Sequence, residues 1–238
     1  MKFIQNAFLC AFVSLLLALA LPTAAHDLWL EKEADGYVLL QGHRTTAHAG
    51  AERVPYPANF ARQAVCADER GGVKPLAIAP GYPARLGDDC AARQVTASSG
   101  YWTKTAWETR NAPKAGIAGV LKSWRAEESV KYIERWSAAL ARPLATGLEI
   151  TPVNDPFRLG VGDRLTVRVT LDGKPRPDVP VAYDGATRGA SGEDGTVVLK
   201  IRHGGLQMIA ASLETPLDDG QADTLIQAAT LNFALPGK

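Results

Sequence analysis

Four histidines are the residues of this chain best suited to chemistry: His26, His43, His48 and His203. The first three lie close together in "AHDLWLEKEADGYVLLQGHRTTAH". Neutral imidazole is a good nitrogen donor to borderline metal ions. Whether two of these rings can meet depends on the segment between them. Asp27 to Leu30 and Tyr37 to Leu40 are apolar-rich, and Asp35-Gly36 between them is a hairpin signal. If the two strands pair across a loop centred on Ala34 and Asp35, His26 falls nearly opposite His43. Directly opposed residues have Cβ atoms about 4.5–5.5 Å apart, so both rings could hold one ion. Side chains alternate along a strand, so only the right register puts both rings on one face.

What precedes His26 bears on the same chemistry. Met1 to Ala25 carries a basic start at Lys2, an apolar run from Phe8 to Leu21 and the small residues Thr23-Ala24-Ala25. That is the pattern of a secretory signal peptide, with an apolar run shorter than a membrane span needs. The expectation is an exported, periplasmic protein with no membrane insertion after processing. A chain starting at His26 would add a free α-amine beside an imidazole, a ready chelate, with His43 as a third nitrogen. A start at Ala25 would offer amine, amide and imidazole. Nitrogen-rich tetragonal sets suit Ni(II) and Cu(II). His48, in "HRTTAH", can place a loop ligand beside a strand-end one. His203, in "RHGG" far along the chain, reads as a turn residue.

Composition narrows the function classes. The formal net charge is +1 over 238 residues, without the basic surplus of a nucleic-acid binder. After residue 25 only Cys66 and Cys90 remain, and in an oxidising compartment two cysteines most simply pair. There is no Gly-rich phosphate loop, no G-x-S-x-G and no H-E-x-x-H, so no catalytic residue is assigned. Glu127-Glu128 and Asp88-Asp89 read as solvated faces. Trp102, Trp107, Trp124 and Trp136 could line a sugar-binding surface, though half-buried positions account for them as well.

The elements that must position these residues are β-strands. Gly and Pro, 22 and 15 residues, are spread along the chain, as in proteins with many turns. Arg53 to Asn59 reads as a loop because its prolines cannot donate to a ladder. Val73 to Ile78 and Gln94 to Trp107 read as strands. In "SWRAEESVKYIERWSAAL", Val130, Ile133 and Trp136 recur at helical spacing, which predicts a short helix, although extended structure also fits. Leu165, Val167, Val169 and Leu171 alternate with polar residues as in a half-buried strand. Val179 to Tyr183, Thr196 to Ile201, Leu206 to Leu213 and Thr224 to Leu235 follow, several of them parted by turn clusters. The fold expected is all-β, with two sandwich-like domains and at most one short helix between them. Residues 1–25 are the signal, 26–146 an N-terminal β domain with the candidate metal site, and 147–238 an immunoglobulin-like or transthyretin-like sandwich.

"AHDLWLE", "GHRTTAHAGAERVPY" and "TPVNDPFRLGVGDRLTVRVTLDGKPRPDVPV…DGTVVLKIRHGGLQMIAAS" together resemble the periplasmic nickel-uptake-associated family, domain of unknown function 4198. The resemblance covers most of the chain after residue 25. It implies a β-rich periplasmic protein that binds or delivers a transition metal, nickel foremost with Cu2+ and Co2+ as alternatives, and that works beside a membrane metal transporter. Onto this chain it carries His26 and, more weakly, His43. Two other functions fit the sequence. One is a copper oxygenase of the histidine-brace kind, which also uses an N-terminal histidine on a β-sandwich. The other is an adhesive or scaffolding pair of sandwiches whose histidines hold nothing.

Overall fold

The computed structural model of the chain describes residues 26–44, 52–87 and 89–237. The segment expected to be a signal peptide and His48 lie outside the described residues. Among the described residues there is no α-helix, and the strands run in chain order as follows. β1 Asp27–Glu33, β2 Gly36–His43, β3 Glu52–Arg53, β4 Ala61–Ala67, β5 Val73–Pro75, β6 Ile78–Ala79 and β7 Ala84–Leu86 come first. β8 Ala92–Lys104, β9 Thr109–Arg110 and β10 Lys122–Ile133 follow, then β11 Leu148–Pro152, β12 Arg164–Leu171 and β13 Lys174–Pro175. β14 Pro180–Tyr183, β15 Ala186–Ala190, β16 Thr196–Lys200, β17 Gly205–Pro216 and β18 Thr224–Leu235 complete the set.

These strands build three sheets. The central one runs β15-β14-β17-β18-β10-β8-β4-β5, with β9 on β8. It takes strands from both halves of the chain, joined where β10 pairs in parallel with β18 from Trp124↔Thr224 to Ile133↔Phe233. One face of it is covered by the sheet β11-β12-β13 with β16. Ile150, Val167 and Val169 from the cover meet Ile209, Leu231 and Phe233 from the central sheet in one core. This is the alternation expected of a sandwich, apolar inward and polar outward.

The remaining sheet, β1-β2-β7-β6 with β3 on β2, meets the other face edge-on. Along the outer edge of β1, the Leu30 N–H donates to Asn232 Oδ1 at 3.2 Å and the Thr230 hydroxyl donates to the Leu28 carbonyl. Side chains of β18 thus satisfy an edge that would otherwise be open to pairing. Leu28, Leu30 and Leu39 pack on Val95 and Val130 on one side. Trp29, Val38 and Leu40 pack on Met208 on the other. The loop after β3 fastens this sheet: Tyr56 donates to the Leu39 carbonyl at 2.5 Å and accepts from the Ala84 N–H at 3.0 Å. Burial there pushes the phenol up to about 12.

One expectation is overturned. The stretch expected to hold a short helix is mostly strand β10, followed only by a 3-10 turn at Ala138–Leu140. Val130 and Tyr132 face the first sheet's core, whereas Ile133 enters the other core. A strand buried on both faces has no clean period of two, and its apolar residues can mimic helical spacing. The segments Leu148–Pro152 and Ala186–Ala190 are strands that the sequence reading passed over.

Candidate functional site

The β1–β2 hairpin decides where the histidines go. Its ladder pairs Glu33 with Gly36 and, six residues on, Asp27 with Gly42. One step further in the same register, His26 stands opposite His43. The two rings lie with centroids 5.0 Å apart, inclined at 64°. Gly42 makes this end of the hairpin possible. Its φ is +147°, and a Cβ there would sit 1.9 Å from the Glu52 carbonyl oxygen. Only glycine lets β3 approach so closely, and that approach sets Glu52 opposite His43.

Two carboxylates, Glu52 and Asp27, lie close enough to interact with the pair. Burial and the neighbouring His43 ring hold His26 below the usual imidazole range, against an upward pull from Glu52. Burial raises Asp27, against the Arg44 backbone N–H and His43. On the same side of the hairpin as the two rings, the Gln41 amide donates to both oxygens of Glu128 at 3.1 and 3.0 Å. Glu128 retains some accessible surface, but its carboxyl is enclosed by protein, and that desolvation pushes it up to about 7. Glu128 is therefore not part of a solvated face, as its sequence context suggested. Gln41 and Glu52 escaped the sequence reading and Glu128 was read as solvent-facing, because nothing local marks their surroundings; only the hairpin's docking on β10 brings Gln41 and Glu128 together.

The separation of the rings can be tested against metal geometry. With metal–nitrogen bonds near 2 Å, a ligating ring's centre stands about 3 Å from the ion, so two rings at 90–110° have centres about 4.5–5 Å apart. The observed 5.0 Å fits. Among the described residues no group of three or more His, Cys, Asp or Glu side chains converges as a metal site. The histidine pair supplies two donors.

The other singled-out residues lie elsewhere. His203 Nε2 is 2.8 Å from Asp184 Oδ2, and Nδ1 is 2.6 Å from the Gly204 carbonyl, at the turn leading into β17. Those contacts raise its pKa, against the opposing effect of burial. Trp102 and Trp124 stack on each other with centroids 6.3 Å apart. Trp136 packs on the core, and Trp107 is 93% exposed. Cys66 and Cys90 are disulfide-bonded. Asp89 is an exposed ion-pair partner of Arg135, and Asp88 lies outside the described residues.

A model of the family described as Domain of unknown function (DUF4198) matches residues 23–215. The chain belongs to the DUF4198 family. The match begins just before the histidine pair and ends in β17, so it takes in the hairpin, most of the central sheet and the covering sheet. No curated protein and no solved structure gives a significant match. Among the described residues no helix is long and apolar enough to cross a membrane. The disulfide suits an oxidising compartment outside the cytoplasm.

Proposed function

We propose that this DUF4198 protein is a periplasmic binder of a divalent transition metal, nickel foremost, that assists uptake or delivery to a membrane transporter. The observation that carries the reading is the pair of imidazoles held at 5.0 Å by the hairpin register. His26 and His43 are the ligands. A third nitrogen comes from the α-amine of a chain processed before His26, or from His48, which lies outside the described residues. The nearby acidic side chains favour a cation, and the resemblance to nickel-uptake-associated proteins favours Ni(II) over Cu(II) and Co(II). Copper would also suit the pair. Oxidation of a polysaccharide by copper-loaded protein would turn the reading towards the oxygenase.

The test is calorimetric titration with Ni(II) of three preparations: exported and processed protein, its His43→Ala variant, and protein carrying a tag before Ala25. Loss of one of three nitrogen ligands should weaken binding at least about tenfold, or about 1.4 kcal/mol. The tagged chain should also bind much less well, because its amine has become an amide. Equal affinity in all three would remove the pair from any metal site.

A further inference from the structure

The central sheet holds a concave site on the face opposite the one that the β1–β2 hairpin packs on. The covering sheet stops at Leu148, where the Ser129 hydroxyl donates to the Leu148 carbonyl at 2.8 Å. Beyond that line the face of the central sheet is not covered. It forms the floor of a cleft of about 770 Å³, walled on the covering side by Leu148 and Leu171. Sheet register fixes which side chains make the floor. Glu127 stands level with Ser98 and Gln227, and Ser129 with Thr96, which in turn pairs with Gln63. Under the covering sheet the same face carries Ile209, Leu231 and Phe233; here it turns polar.

Three features describe what this floor would hold. First, its formal charges cancel: Arg62 and Arg125 against Glu127 and Asp172. Glu128 also borders the cleft, but its carboxyl is turned to the other face and bound to Gln41. Second, the ion pair is satisfied internally, since the Arg125 guanidinium bonds to Glu127. Third, amide capacity is left over. Gln227 makes one long contact to Glu127, at 3.5 Å, and Gln63 has no side-chain hydrogen bond among the described residues. A planar amide presents a donor beside an acceptor and a carboxylate presents two acceptors, arrangements that match the adjacent hydroxyls of a polyol. Leu148, Leu171 and Leu225 add apolar surface beside them, and clefts of this size are usual for small ligands. Gly147, at φ +85°, stands at the rim; a Cβ there would lie 3.4 Å from the Gln227 amide nitrogen.

We propose that this cleft binds a neutral polyhydroxylated ligand, a short saccharide, independently of any metal at the histidine pair. The test is nuclear magnetic resonance of 15N-labelled full-length exported protein. The neutral probes are maltose, cellobiose and lactose; glucuronic acid and glycine serve as charged controls. At least one neutral disaccharide should bind with a dissociation constant in the millimolar range or tighter. It should shift the Gln63 and Gln227 side-chain amides and the Gly147 amide. Gln227→Ala should weaken that binding about tenfold, whereas His43→Ala should leave it unchanged. Gln63→Ala, at an exposed position, is the second variant should Gln227→Ala not fold. Absence of shifts with all three disaccharides would overturn the proposal. So would undiminished binding by the folded variants, or equal binding of glucuronic acid or glycine.

Discussion

Glu128 shows how a single side chain can be decided by what lands on it. Its neighbour Glu127 pairs with Arg125 at the open cleft, while Glu128 faces the hairpin and accepts from the Gln41 amide. Among the described residues no cation offsets its burial, and its pKa rises from 4.5 to about 7. A carboxyl with a raised native pKa binds its proton more tightly folded than unfolded. Stability should therefore fall as pH rises from about 4.5 to 7 and stay lower above that window. Glu128→Gln keeps an acceptor for Gln41 and removes the charge. It should stabilise the protein at pH 8 by on the order of 2 kcal/mol and leave it nearly unchanged at pH 4. Urea unfolding at the two pH values checks this; the same difference at both would refute it.

At the scale of the element, β10 is the strand on which the architecture turns. It pairs with β8 and β18 and is packed by other sheets on both faces. Facing the covering sheet it carries Lys131, whose ammonium is completely buried against Glu149 of β11. The ammonium also donates to Thr151 Oγ1 at 2.8 Å and the Arg142 carbonyl at 3.0 Å. Glu149 in turn accepts from the Leu144 and Ala145 backbone N–H groups at 3.0 and 2.9 Å. Desolvation lowers the Lys131 pKa, against the pull of Glu149. Lys131→Met would strand a buried carboxylate and should cost about 3–5 kcal/mol. Adding Glu149→Gln should recover much of that loss, because the amide oxygen can still accept from the backbone. Denaturant midpoints of the single and double variants measure it, and additive losses would exclude the pairing as the cause.

For the molecule as a whole, the disulfide ties the strand β4 to the segment entering β8, across a sequence separation of 24 residues. On the chain-entropy model such a loop stabilises by about 3 kcal/mol. Thermal unfolding with and without reductant should show a clear drop in midpoint for the parent. The Cys66→Ala/Cys90→Ala variant should not respond to reductant. An unchanged parent midpoint under full reduction would contradict this. The pairing of those two cysteines was legible because only two follow residue 25. The hairpin was legible too, from Asp35-Gly36 and the flanking apolar residues, but its register, on which the meeting of His26 and His43 depends, was left open by the sequence and fixed only in the structure. Alternation in Leu165 to Leu171 and the all-β class were equally local. The hairpin and the alternation are legible because they depend on near neighbours in the chain, and the cysteine pairing because two cysteines leave one choice. The parallel pairing of β10 with β18, the strand identity of Lys122–Ile133, the burial of Glu128 beneath Gln41 and the cleft where the covering sheet ends were decided only by the tertiary structure. Each depends on surfaces about a hundred residues apart meeting at one register, and no period within a segment records which surface will cover it.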